Sequence, residues 1–122
     1  MAIYKSAEDY LERILMLSKN NTNVRSIDIA QSFGYSRASI SRAINNLKNN
    51  DFISIDSNGF ITLTEKGIEV ANKIYKRHSI LTELFIRAGV PSDIAKEDAC
   101  KIEHDLSDIT FDALEKYFNN TK

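Results

Sequence analysis

Residues 26–49 contain two short amphipathic segments separated by a glycine, and this pattern constrains the fold more than any other feature of the chain. Apolar residues recur three and four positions apart, at Ile27, Ala30 and Phe33 in the first segment and at Ile40, Ala43, Ile44 and Leu47 in the second. We expect Ser26 and Ser36 to cap two helices and Gly34 to end the first. Two helices across a glycine turn favour a helix-turn-helix, although an αα-hairpin without a ligand has the same pattern.

A predicted β-hairpin follows directly. Residues 52–56 and 60–63 alternate between apolar and polar side chains, and Asn58-Gly59 between them is a hairpin turn signal. An isolated two-stranded sheet is marginally stable in water, so the hairpin must pack on the helices. Residues 1–63 are therefore predicted to form a winged helix-turn-helix DNA-binding domain.

The remaining residues, 64–122, are predicted to form a helical module. A connector helix begins at Thr64 and continues towards Gly89, and Pro91 with Ser92 starts a second helix. A short terminal helix from about residue 110 has an apolar face that needs a partner, either the connector helix or a second subunit. The residues assigned to a dimer interface are Leu114, Tyr117 and Phe118. The fold class is mainly α with a small two-stranded β wing.

Composition limits both architecture and location. One proline and four glycines in 122 residues are too few for a many-stranded sandwich, and one cysteine excludes an intramolecular disulfide and fits a reducing cytoplasm. No apolar run is long enough to span a membrane, so we expect a cytoplasmic protein. With a net charge of −1, attraction to DNA must come from local charge. Residues 22–63 have four basic against three acidic side chains, whereas residues 90–122 have four against eight.

The predicted recognition helix supplies most candidate DNA contacts. Its apolar residues face inward, so its other side chains face outward, and the first turns of such a helix enter the major groove. Arginine and serine bind base edges or phosphates, and alanine contacts the thymine methyl group. Phosphate contacts are assigned to Arg25 and Lys48, and a wing contact to Asn58. The candidates on the helix itself are Ser36, Arg37, Ala38, Ser39, Ser41 and Arg42.

Three side chains that bind metals lie close together near the C-terminus. Cys100, Glu103 and His104 have helical spacing and are expected to form one stripe. That stripe lies beside a predicted apolar, core-facing side of the helix, made of Ile94, Ala95, Ala99, Ile102 and Leu106. A buried structural cysteine beside a Glu–His surface pair would have the same spacing. A hydrolase based on Cys100 and His104 is disfavoured, because no third group orients such a pair. The spacing of Asp9 and Glu12 is a weaker signal, and His78 alone is typical of an interior histidine.

The order of these motifs resembles the diphtheria-toxin-repressor family, and is most similar to its short manganese-transport-regulator branch. Three stretches support the resemblance: residues 8–14 (EDYLERI), Arg77-His78, and residues 98–107 (DACKIEHDLS). By that similarity, the manganese branch's ligand positions are occupied by Asp9, Glu12, His78, Glu103 and His104. Cys100 stands where that branch has glutamate and the iron branch has cysteine. Lys96 replaces a histidine of the iron branch's ancillary site.

The resemblance implies a homodimeric repressor that binds a palindromic double-stranded operator when Mn²⁺ or Fe²⁺ is bound. It further implies control of metal-uptake or homeostasis genes. The iron branch's SH3-like domain has no counterpart in these 122 residues, so no regulation through it is expected. An alternative is a winged-helix regulator that responds to a redox or small-molecule signal, with Cys100 as the sensor or as plain core.

Overall fold

The computed structural model describes residues 5–20 and 23–121, and these residues divide into two compact units between Asn72 and Lys73. No helix in these described ranges is long and apolar enough to cross a membrane. The elements are α1 (Lys5–Asn20), α2 (Ser26–Phe33), α3 (Arg37–Asn49), β1 (Ile53–Ile55), β2 (Ile61–Leu63), α4 (Glu65–Arg87), α5 (Ser92–Ile102) and α6 (Asp108–Asn120). This is the predicted mainly helical fold with one two-stranded wing.

The helix-turn-helix, α2 and α3, is built from local capping interactions. Gly34 has φ 72°, a left-handed conformation that glycine adopts without steric cost, and it ends α2 as predicted. Ser36 caps α3 by accepting a hydrogen bond from the backbone N–H of Ser39 at 3.3 Å. The predicted cap at Ser26 is wrong. Arg25 is the N-cap residue of α2, and the Asp28 carboxylate accepts its backbone N–H at 2.9 Å.

The wing packs on the helices of the first unit. Strands β1 and β2 pair antiparallel, with Ile53 opposite Leu63 and Ile55 opposite Ile61. The backbone N–H of Ile61 donates to the Val24 carbonyl at 2.7 Å and ties the wing to the segment before α2. A common core holds the unit together, and its fully or nearly fully buried members include Leu11, Ile14, Val24, Ile29, Ile40, Ile44, Leu47, Ile53, Ile61 and Ala71.

The second unit differs from prediction at the end of α5. That helix ends at Ile102, so Leu106 is not on its face, and Glu103 to Leu106 form a turn. Ala95 and Ala99 are buried as expected, but Ile94 and Ile102 are exposed. Helix α6 begins at Asp108, because Ser107 accepts a hydrogen bond from the Thr110 N–H at 3.2 Å and caps it.

Candidate DNA-binding and metal-binding sites

Helix α3 presents its predicted contact residues to solvent. Ile40, Ile44 and Leu47 are buried, which fixes the face of the helix that packs on the first unit. All nine predicted DNA contacts are exposed: Arg25, Ser36, Arg37, Ala38, Ser39, Ser41, Arg42, Lys48 and Asn58. The hydroxyl groups of Ser36 and Ser39 lie 3.1 Å apart and hydrogen-bond to each other at the start of the helix.

The exposed residues of α3 divide into two faces. Since each residue turns an α-helix by about 100°, Arg42 lies about 200° around the axis from Ile40, nearly opposite the core. Ala38 and Asn45 lie within about 60° of Arg42 by the same geometry. Arg37, Ser41 and Lys48 lie together on one flank. Asn45 is exposed and was not predicted from the sequence, although asparagine is the side chain that pairs with adenine in the major groove.

A cleft of about 330 Å³ lies between the starts of α2 and α3 and the wing turn. Arg25 and Arg37 line it together with Ser41 and Gly59. Two positively charged side chains therefore lie beside the flank of α3 that carries Arg37 and Ser41. The Arg25 guanidinium stacks over the Phe60 ring at 4.6 Å. This cation–π contact attracts the positive charge of Arg25 to the ring and holds the side chain against the wing.

The turn before α3 rests on an aromatic cluster that the sequence did not reveal. Phe33 and Tyr35 stack with ring centroids 5.2 Å apart, and Tyr10 of α1 meets Phe33 edge-on. Burial raises the pKa of Tyr10, and the nearby Tyr35 and Asp9 raise that pKa further. Tyr35 is about half exposed, next to the cap of α3, and is a further candidate for a DNA backbone contact.

The second unit brings three of the predicted metal ligands together. His78 of α4, Cys100 of α5 and Glu103 each offer one ligand atom, and these atoms lie within 4.8 Å of one another. The His78 Nδ1 atom is 2.8 Å from Oε2 of Glu103. Glu103 has no solvent exposure, whereas Cys100 is exposed at the rim. His78, whose sequence context is typical of an interior histidine, thus lies against a buried carboxylate.

This cluster fits a divalent cation. With bonds of about 2.0–2.3 Å, two ligand atoms of one ion are about 3–3.7 Å apart when adjacent and at most about 4.6 Å when opposite. The 2.8 Å between His78 and Glu103 is close to the adjacent spacing, and the 4.8 Å limit of the cluster is close to the opposite one. A buried carboxylate is costly unless a charge compensates it. A cation would compensate both Glu103 and a Cys100 thiolate. Thiolate, imidazole and carboxylate together suit a borderline transition metal.

The predicted stripe of Cys100, Glu103 and His104 spans the end of α5. Helix α5 ends at Ile102, but Glu103 keeps helical dihedral angles (φ −60°, ψ −27°) and its N–H donates to the Ala99 carbonyl, so Cys100 and Glu103 remain on one face. His104 Nε2 lies 3.4 Å from Oε1 of Glu103, so it approaches the cluster through that carboxylate. Asp9 and Glu12 belong to α1 in the first unit, where Asp9 is half-buried and Glu12 is buried. Their participation in the site stays a prediction.

The predicted dimer residues lie along α6. Leu114 and Phe118 are half-buried, and Phe118 lies under the Arg87 guanidinium at 4.2 Å. Tyr117 and Ile109 remain exposed, at 62% and 84%. An isoleucine so exposed near the start of a helix, with an exposed tyrosine two turns later, indicates an apolar surface suited to a partner.

Family models match nearly the whole chain. Residues 2–58 match the N-terminal DNA-binding domain of iron-dependent repressors, and residues 64–122 match their metal-binding and dimerisation domain. A helix-turn-helix transcriptional regulator of Methanocaldococcus jannaschii is 32% identical over 97% of this chain and 96% of its own length. The regulator MntR of Shouchella clausii is 30% identical over 91% of this chain and 76% of its own length.

Solved structures agree with these matches. The manganese regulator SloR superposes with a TM-score of 0.81 and 28% identity over all of this chain, and T. acidophilum IdeR with 0.80 and 25% over 98%. This chain spans about half the length of those two, 56% and 55%. The resemblance drawn from sequence and the metal-dependent, non-enzymatic function are confirmed, and nothing favours a redox or small-molecule signal. The chain belongs to the iron-dependent repressor family and is a homodimeric, metal-dependent DNA-binding transcriptional regulator.

Proposed function

We propose that this regulator is a cytoplasmic repressor of metal-uptake or homeostasis genes that binds its operator when Mn²⁺ or Fe²⁺ occupies the His78–Cys100–Glu103 cluster. The observation that carries the proposal is the convergence of these three ligand atoms, from two helices and a turn, within 4.8 Å. They lie in the part of the chain that matches a metal-binding and dimerisation domain. A bound divalent ion would supply positive charge and a fixed coordination geometry there.

The ligand set is proposed to include Asp9, Glu12 and His104. Carboxylates favour Mn²⁺, whereas the Cys100 thiolate shifts selectivity towards Fe²⁺ and Zn²⁺. Cys100 therefore decides which metal activates the regulator. Ligands that come from both the DNA-binding domain (1–63) and the dimerisation domain (64–122) would make the arrangement of these domains depend on metal. Metal acts by binding the DNA-competent arrangement more tightly than the others.

In the DNA complex, α3 is proposed to lie in the major groove. Ala38, Arg42 and Asn45 would meet base edges, since they lie opposite the buried face of the helix. The flank residues and their neighbours would meet phosphates, and these are Arg25, Arg37, Ser41, Lys48 and, at the wing turn, Asn58. Ser36 caps the helix and its hydroxyl also bonds to that of Ser39, so both serines lie at a helix N-terminus, which favours phosphate binding.

The homodimer is proposed to form through α6. Leu114, Tyr117 and Phe118, together with the exposed Ile109, provide the apolar surface. A two-fold dimer that places one α3 in each half-site requires half-sites about 34–36 Å apart, so the operator should be palindromic. Sedimentation velocity at micromolar concentration should give a dimer, and Ile109→Glu with Tyr117→Glu should weaken it.

Metal titration of the purified protein tests the proposed site. We expect elemental analysis after dialysis against Mn²⁺ or Fe²⁺ to find bound metal, and His78→Ala or Glu103→Gln to lower its affinity at least tenfold. Binding should weaken at acidic pH, because protons compete for thiolate and imidazole ligands. Wild-type affinity in both variants would refute the assignment. Release of DNA on oxidation with peroxide, with no response to metal, would instead support a redox signal.

A further inference from the structure

Arg77 is a buried guanidinium that reaches from α4 to the end of α5. Only 4% of the residue is exposed. Its Nη1 donates to the backbone carbonyl oxygens of Glu103 at 3.0 Å and Leu106 at 2.6 Å. Its Nη2 donates to Oδ1 of Asp108 at 2.6 Å. The Arg77 side chain thus binds both ends of the turn, at Glu103 and Leu106, and the start of α6 at Asp108.

Two consecutive residues of α4 bind the backbone and the side chain of Glu103. Arg77 binds the Glu103 carbonyl oxygen, while the next residue, His78, binds the Glu103 carboxylate at 2.8 Å. Two local backbone hydrogen bonds also hold the turn, from the Glu103 N–H to the Ala99 carbonyl and from the Asp105 N–H to the Ile102 carbonyl, both at 3.0 Å. These local bonds set the shape of the turn, and the bond from Arg77 sets where the Glu103 backbone lies relative to His78 on α4.

We propose that Arg77 is a positioning residue of the metal centre: by fixing the turn after α5, it aims the Glu103 carboxylate at His78 and Cys100. This inference rests on the proposed metal site. Arg77 itself is no ligand, because a guanidinium stays protonated and has no lone pair to offer. It acts as an outer-shell partner, and loss of such partners costs about 10–100-fold in metal affinity.

The charge balance around Arg77 supports a role in positioning. Asp108 accepts from Arg77 and also pairs with Lys73 at 3.0 Å, so the Arg77 charge is compensated without the Glu103 carboxylate. That carboxylate remains available to a cation. The Arg77 guanidinium also lies 5.2 Å from the Phe111 ring, so α6 holds it from a second side. The fork of a guanidinium suits several acceptors at once, which the single ammonium group of lysine cannot match.

Co²⁺ binding to the full-length protein tests this inference. We would compare wild type with Arg77→Met, Arg77→Lys and Asp108→Asn, using thiolate-to-Co²⁺ charge-transfer absorption and visible d–d bands as readouts. Arg87→Met is the matched control, because Arg87 also reaches from α4 to α6 but contacts Phe118 and none of the ligands. Thermal unfolding of the metal-free proteins gives the folded fraction of each.

The expected results separate positioning from a purely structural role. Arg77→Met should bind Co²⁺ about 10–100-fold more weakly with altered d–d bands, Arg77→Lys should recover part of that loss, and Arg87→Met should match wild type. Lower stability with unchanged Co²⁺ affinity and spectrum per folded molecule would overturn the inference. If Arg77→Met does not fold, unchanged affinity in both Arg77→Lys and Asp108→Asn would overturn it. Failure of wild type to bind Co²⁺ would refute the proposed site and this inference together.

Discussion

Arg37 and Arg42 lie on the same helix but are predicted to contribute to DNA binding in different ways. Arg42 is about 200° around α3 from the buried Ile40, so in the proposed complex it would project towards the groove floor. Arg37 is only about 60° from Ile40 and lines the cleft it shares with Arg25. Arg42 is therefore assigned to base edges and Arg37 to the phosphate backbone.

The size of each effect follows from these positions and from two-fold symmetry. Arg37→Ala removes one phosphate contact per subunit, or two per dimer, and should reduce the slope of log K against log salt by about 1.8. Arg42→Ala should cost about 1–3 kcal/mol per half-site and reduce discrimination between operator and mutated operator, with a smaller change in slope. Fluorescence anisotropy of labelled operator DNA at several salt concentrations measures both quantities.

The matched control is Lys96→Ala, which removes one exposed positive charge from α5 in the dimerisation domain and should leave slope and specificity unchanged. Equal effects of Arg37→Ala and Arg42→Ala on the slope, with specificity intact in both, would refute the division of α3 into two faces. No effect from the double variant would show that another element contacts the DNA.

Three further predictions concern metal choice, packing and acid stability. Cys100→Glu keeps an anionic ligand but replaces sulfur with oxygen, so competitive titration should show a gain for Mn²⁺ relative to Fe²⁺ and Zn²⁺. Gly67→Ala should lower the free energy of unfolding by about 1–2 kcal/mol in urea, because a β-carbon there would overlap the Phe52 carbonyl, and the gain in helix propensity of about 1 kcal/mol offsets only part of that cost. Asp108 has a pKa lowered chiefly by its hydrogen bond with Lys73. Its contribution to stability should be complete above the unfolded pKa of about 3.9 and lost as pH falls through the lower folded value, so urea midpoints of wild type and Asp108→Asn should converge in acid.

Each of these predictions has a control and a contrary result. His104→Ala should weaken all metals alike, and an unchanged selectivity order in Cys100→Glu would mean that the thiol is not a ligand. Ser79→Ala, at an exposed position of α4, is the control and should change the free energy of unfolding by less than about 0.5 kcal/mol. A Gly67→Ala variant as stable as wild type would contradict the predicted overlap with the Phe52 carbonyl. A constant difference between wild type and Asp108→Asn down to strongly acidic pH would contradict the assignment of the ion pair.

Local sequence signals predicted the DNA-binding half well because its elements are specified locally. Gly34 and Ser36 act as predicted, since a left-handed turn and a helix cap each depend on a few neighbouring residues. The error at Ser26 arose because Asp28 caps the same helix from inside its first turn, and both residues are good capping types. Spacing alone could not choose between them.

The candidate metal cluster was predicted partly from helical spacing and partly from the family resemblance. Helical spacing joined Cys100 to Glu103 and His104, the resemblance added His78, more than 20 residues away, and the ligand atoms of His78, Cys100 and Glu103 lie within 4.8 Å of one another. Spacing alone could not place His78 beside Glu103, because that approach and the hydrogen bond from Arg77 to the Glu103 carbonyl are both long-range contacts. Tertiary contacts of this kind leave no periodic pattern in a sequence.

The central claim is that metal in the His78–Cys100–Glu103 cluster controls DNA binding, and operator affinity with and without metal tests it most directly. Anisotropy would be measured on wild type and Glu103→Gln with DNA from the regulator's own promoter region, in chelator and in saturating Mn²⁺ or Fe²⁺. We predict that metal tightens wild-type binding at least tenfold and leaves Glu103→Gln near its metal-free affinity. Equal wild-type affinity in chelator and in metal would contradict the claim.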